Sequence, residues 1–122
     1  MSSRASLIAQ LEPILETEGL EDIKLIRSVR ATDQLGRQPI LIVKTDSLEK
    51  IPEAPRSVLG NSTLILVSPH VDVDKAEDQL DDLLEILLPA LISKYIMWQR
   101  ATQTKYDDQH IAYDITVTNI LS

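Results

Sequence analysis

The apolar positions of the chain change period several times, and each change predicts an element. Between residues 3 and 17, Leu7, Ile8, Leu11, Ile14 and Leu15 recur at i, i+1, i+4, i+7 and i+8, one stripe of a helix. Ser3 is placed to cap this helix, Pro13 removes a backbone donor and predicts a bend or split, and Gly19 suits the left-handed position that closes it. Two β-like stretches follow, residues 23–31 and 39–44, around a polar segment whose Gly36 can adopt positive φ. They predict a hairpin with a long loop. Ile23, Leu25 and Arg27 alternate with Lys24, Ile26 and Ser28, so the first arm has no clean apolar face. In the second arm Ile40-Leu41-Ile42-Val43 is unbroken, as expected of a central strand covered on both faces.

Residues 47–60 hold Glu49, Lys50, Glu53 and Arg56 with Pro52 and Pro55 and show no sustained period, which predicts a surface connection. Residues 61–68 contain Thr63-Leu64-Ile65-Leu66-Val67, a short strand ended by Ser68-Pro69. The longest signal follows. Val73, Ala76, Leu80, Leu83, Leu84, Leu87, Leu88 and Leu91 keep helical spacing while Asp74, Asp78, Asp81, Asp82 and Glu85 fill the opposite face. Asp74 followed by Glu77 predicts the N-cap, and Pro89 predicts a kink. Residues 99–106 and 111–118 then read as strands around a turn at 106–110, with Ile111, Tyr113, Ile115 and Val117 alternating against Ala112, Asp114, Thr116 and Thr118. The order is α-β-β-β-α-β-β, which predicts an α+β fold: a mostly antiparallel sheet of four to five strands with two main helices packed on it.

Length and composition narrow the class. A chain of 122 residues predicts a single domain over 1–122, and 43% apolar with 25% charged residues argues against disorder, collagen-like repeats and coiled-coil rods. The net charge of -7 has the wrong sign for a general nucleic-acid binder. The absence of cysteine removes disulfides, thiolate zinc sites and cysteine nucleophiles. The apolar run 86–98 is broken by Pro89 and Lys94 and is too short for a membrane span. Met1-Ser2-Ser3-Arg4 leads straight into an amphipathic pattern, which predicts a soluble product made in a cytosol and gives the sequon Asn61-Ser62-Thr63 no weight.

Candidate chemistry is sparse. With only Gly19, Gly36 and Gly60 available, neither the dinucleotide fingerprint nor the Walker loop can be built. Of the two histidines, His70 and His110, only the second lies beside carboxylates, in Asp107-Asp108-Gln109-His110. Two oxygens and a nitrogen there suit a divalent ion and, with Asp114, a small metal-dependent hydrolase, but the same residues make an ordinary polar turn. Residues 72–85 carry seven acids against Lys75 without the central glycine of an EF-hand loop. They read as a solvated helix face or, through Asp78 and Asp81, as the docking face of a host cytosolic adaptor. Trp98 and Arg100, with Tyr95, Tyr106 and Tyr113, fit core packing and an interface anchor equally. The loop around Gly36, with Arg27, Arg30, Arg37 and Asp33, has no evident core duty and reads as a contact surface.

Three segments together resemble a known family: Leu80-Asp81-Asp82-Leu83-Leu84-Glu85-Ile86-Leu87, then Trp98-Gln99-Arg100-Ala101-Thr102, then the stretch from Tyr106-Asp107-Asp108-Gln109-His110 through Tyr113-Asp114-Ile115-Thr116 to Thr118. An acidic leucine helix, a tryptophan entering a strand and a tyrosine-acid turn running into the final strand resemble the tail terminator proteins of long, non-contractile-tailed bacteriophages. The likeness spans residues 61–120, and the earlier elements agree in order and length. It implies a virion structural protein of the neck, assembled in the host cytoplasm, with no catalysis and no cofactor. Such a protein stops tail-tube polymerisation as a hexameric ring on the tail tube protein and offers its other face to the head-to-tail connector or stopper. An acidic ring would let genome DNA pass its lumen without specific binding. On this resemblance the tube contact is expected at Arg27, Arg30, Asp33, Gln34 and Arg37, and the subunit contact at Trp98, Arg100, Asp107, Asp108 and His110. The alternative within the same class is another head-tail neck or completion protein, which would bind the connector and not the tube.

Overall fold

The computed structural model describes residues 3–26, 36–52 and 54–121. In chain order these form α1 (Ser3–Ile14), β1 (Lys24–Ile26), β2 (Ile40–Ile51), β3 (Ala54–Val67), α2 (Val73–Ser93), β4 (Met97–Lys105) and β5 (Ile111–Leu121). The fold is α+β in the expected order. Its five-stranded sheet runs β1-β2-β3-β5-β4, so β5 inserts between the two strands that α2 connects. All pairings are antiparallel except β1 with β2.

The unbroken run in β2 is covered on both faces, as its composition predicts. Leu41 pairs with Leu66 and Val43 with Leu64, and these continue to Tyr113 and Ile115 of β5. They form the sheet's contribution to the main core beneath α1 and α2. The alternate residues Ile40, Ile42, Val67 and Ala112, with Ile26, make a second, smaller cluster on the opposite face, because successive strand side chains point to opposite sides.

Two β expectations are corrected. The first two strands are not a hairpin: Lys24 pairs with Ile40, Leu25 with Leu41 and Ile26 with Ile42 in parallel. A parallel pair needs a connection of about a dozen residues or more, and residues 27–39 are long enough. The expected remainder of that first arm, residues 27–31, lies outside the described residues. Nor is 47–60 a surface connection, since β2 continues to Ile51 and β3 begins at Ala54. Pro52 occupies the turn. Pro55 falls where the register jumps from Lys50↔Val58 to Ile51↔Ala54, an irregular stretch that tolerates a missing donor. Beyond Val43 the outer half of β2 turns largely exposed. This long hairpin carries polar side chains past the core, and the lost alternation hid it from the sequence.

Both helices bury the predicted stripes. Leu7, Ile8, Leu11, Ile14 and Leu15 of the first helix and its continuation are buried, and α1 packs on β2, β5 and α2. Pro13 stands in its last turn. Gly19 comes later than the helix end, in the following turns, at φ +96°, and a Cβ there would stand 2.5 Å from Ile86 Cδ1 of α2. Its function is therefore close approach of backbone to helix rather than closure of α1.

On α2, Ala76, Leu80, Leu83, Leu84, Leu87 and Leu91 are buried, whereas Val73, expected in the same stripe, is 54% exposed at the first turn. The N-cap is Asp72 and not Asp74: the Asp72 carboxylate accepts from the Lys75 backbone N–H at 3.2 Å. The helix runs through the exposed Pro89 to Ser93. At its end Ile96 N–H donates to Leu91 O and Tyr95 N–H to Ile92 O, each at 3.0 Å. Those two bonds define a Schellman closure, with Tyr95 at the left-handed position where glycine is usual. At the other end the fully buried Ser68 hydroxyl donates to Gln79 Oε1 at 2.6 Å and accepts from His70 N–H at 3.3 Å, tying β3 to α2.

Candidate interaction surfaces

The 106–110 turn is satisfied by its own atoms. Asp107 Oδ1 accepts from the backbone N–H groups of Gln109 and His110, both at 2.8 Å, and His110 Nδ1 lies 2.8 and 2.9 Å from the two carboxylate oxygens. The Gln109 N–H foremost, against some desolvation, and then the His110 contacts hold the Asp107 carboxyl below its ordinary range. Among the described residues no group of three or more histidines and carboxylates is placed to hold a metal ion. Asp114 has other charged neighbours, Lys44 and Asp46, across the sheet face opposite α2. The residues named for metal chemistry therefore do not converge.

The expected subunit contact divides in the same way. Trp98 pairs with Val117 and packs half-buried on the main core. A register shift at Gln99 then turns the exposed Arg100 to the other face, opposite Thr116. Asp107, Asp108 and His110 lie at the far end of β4 from Trp98. Of the expected tube loop, Arg37 is exposed just before β2, while Arg27, Arg30, Asp33 and Gln34 lie outside the described residues. The acids of α2 are solvated, apart from the half-buried Glu77. Burial raises the Tyr113 phenol above its ordinary range, and the charges of Asp81 and then Glu77 push it in the same direction.

Asp114 gives a pH-dependent expectation. Its carboxyl is raised by desolvation, with Lys44 pulling down and Asp46 pushing up. A raised acid holds its proton in the folded state beyond the unfolded value, so stability falls as pH rises through the carboxylate range and the deficit is complete above the folded value. Asp114→Asn should therefore raise the urea midpoint at neutral pH, and the gain should vanish below the unfolded carboxylate value. A midpoint difference equal at both pH values would contradict this.

The feature that sequence reading missed is a notch at the sheet edge. On the β4 side, β5 is paired only as far as Thr118, opposite Met97, whereas its other edge is paired to Leu121. Asn119–Leu121 therefore carry one unpaired backbone edge among the described residues. Beside it lies a groove of about 370 Å³ whose lining includes Leu59, Tyr95, Met97 and Ile120 together with Gln10 and Asn119. Tyr95, Met97 and Ile120 are 84%, 51% and 62% exposed, a cluster where isolated exposed apolar residues would be unremarked. Tyr95 is the one described non-glycine residue with positive φ, at 62°. Asn119 is 2% exposed, yet neither of its amide atoms has a hydrogen-bond partner, and Gln10 Oε1 is likewise buried and unpartnered.

The same face continues the pattern. Thr45 pairs with Ser62, and Ser62 with Val117, so Thr45, Ser62 and Asn119 share the helix-facing side. The buried hydroxyl oxygens of Thr45 and Ser62 also lack partners. Each such group costs about 1–3 kcal/mol. One signal was available in the sequence: Asn119 continues the inward series Tyr113, Ile115, Val117, a polar residue where the period demands an apolar one. Compared with family models and with curated proteins, the chain matches none.

Proposed function

We propose that the protein is a virion structural protein of the phage neck that caps the tail tube as a hexameric ring and joins it to the head-side connector. The observation that carries this reading is the arrangement of the sheet, whose two sides expose different strand edges. β2 is unpaired beyond Ile42 on one side and β5 beyond Thr118 on the other, among the described residues. Different edges on opposite sides suit head-to-tail contacts, which close into rings when the rotation permits. The segments that carry the family resemblance form one continuous unit, α2-β4-β5. Arg37 and the residues before it would meet the tube, and the acidic lumen would let DNA pass unbound.

The test is the length of tubes polymerised from the same virus's tail-tube protein with and without this chain. The reading predicts shorter tubes with the protein at one end, and weaker capture by the charge-reversed variant R30E/R37E. Unchanged lengths with no bound protein would overturn it, and binding to the connector alone would identify another neck protein.

A further inference from the structure

The notch beside β5 lacks three things: a partner strand for the Asn119–Leu121 edge, a donor and an acceptor for the Asn119 amide, and apolar cover for Tyr95, Met97 and Ile120. A peptide backbone supplies the first two together, because an amide side chain can donate to a peptide carbonyl and accept from its N–H. The occupant is therefore an extended strand carrying at least one apolar side chain.

The chain itself displays such a strand on the opposite side of its sheet. The outer half of β2 is exposed and, among the described residues, has no neighbour on its outer edge beyond Ile42. It carries Leu48, 57% exposed and held opposite Gly60. The strand that borders the notch, with its approach, residues 94–105, contains Lys94, Arg100 and Lys105 and no acid, in a chain of net charge -7, while residues 46–51 carry Asp46 and Glu49 against Lys50. A β4 edge pairing with a second β4 would set these bases against each other, so the edge favours a different strand.

We propose that the notch at Asn119–Leu121 receives the outer edge of β2, residues 47–51, from a second copy of the chain, so that copies join head to tail by continuing one sheet into the next. Because the two halves of the contact are different surfaces on opposite sides of one sheet, a single copy cannot satisfy itself, and the contact repeats until it closes. The inference deepens the ring reading above by naming the surfaces, but needs no tail tube for its test.

Leu48→Asp and Ile120→Asp each disable one half at an exposed position, where the fold tolerates polar substitution. Both should be monomeric by light scattering, with the circular dichroism of the parent chain, which should itself associate, and with a melting temperature that no longer rises with protein concentration. Mixed in equal amounts they should form a heterodimer of about 27 kDa, two copies of a 13.7 kDa chain, because each retains the half the other lacks. Tyr95→Gly, which removes a groove wall while relieving a strained backbone, should weaken association while leaving the circular dichroism unchanged. A parent chain that stays monomeric at every concentration overturns the inference, as does association of both variants like the parent or a mixture that never dimerises. The tube-length assay then still decides the capping function, since tubes capped normally by both variants would retain that reading while discarding these surfaces.

Discussion

Leu87→Ala is expected to lower the unfolding free energy by about 3 kcal/mol, within the range found when a buried leucine is truncated. Leu87 is fully buried in the middle of α2's inward stripe, and α2 packs on α1, β4 and β5. Truncation removes transfer free energy and leaves a cavity. Collapse into that cavity is opposed by fully buried neighbours along the stripe, Leu80 and Leu91, and by closure at both helix ends through Asp72 and the Ile96 turn. A domain of this size is stable by about 5–15 kcal/mol, so the change removes a large share. Ile92→Ala, at a position 48% exposed on the same helix, should cost less than about 1 kcal/mol. Urea unfolding of both variants is the check, and equal losses would contradict the assigned face of α2.

Gly19→Ala is expected to cost about 2–3 kcal/mol through two separable effects. The first is conformational: φ at +96° is open to glycine but costs an L-residue about 1 kcal/mol or more. The second is steric, because the new Cβ would stand 2.5 Å from Ile86 Cδ1, and overpacking of that kind costs about 1–3 kcal/mol. Ile86→Val deletes the colliding methyl and leaves the backbone untouched. In that background Gly19→Ala should cost about 1 kcal/mol less than in the parent chain, a coupling that a double-mutant cycle measures directly. Strict additivity would mean that the approach of the turn to α2 is not what fixes this glycine.

The legible parts of the fold are those whose pattern is local and long. α2 repeats its apolar stripe from Ala76 to Leu91 over an acidic opposite face, and no other element suits that period. Ile40-Leu41-Ile42-Val43 announced burial on both faces and has it. The outer half of β2 was illegible because, past the helices, neither face is core, so the period-two signal disappears although the ladder to β3 continues. Pro52 stands in the turn, but together with Pro55 it made all of 47–60 read as a surface connection and hid the strands on either side. Strand direction leaves no trace in a three-residue segment, so the parallel pairing of β1 could not be read from Leu25 and its neighbours. Among the site residues, Trp98 and Arg100 were grouped by residue type and by the family resemblance, and a single register shift at Gln99 sends them to opposite faces.

The notch was illegible for a further reason. It joins Gln10 of α1, the Lys94-Tyr95 helix terminus and the end of β5, segments that only tertiary structure brings together. It also concentrates departures from local rules: a tyrosine where a Schellman closure favours glycine, and a buried asparagine without partners. Sequences tend to break such rules where function requires it. The buried, unpartnered hydroxyl oxygens of Thr45 and Ser62 on the same face extend that departure toward β2. The satisfied Asp107–His110 turn shows none of it.

The most direct test of the ring is the mass of the purified chain by light scattering, with negative-stain images of the same fraction. The proposed ring should appear as a six-fold particle of about 82 kDa, six copies of 13.7 kDa, with an open centre. A particle of one-copy mass at every concentration, unchanged when tail tubes are added, would contradict it.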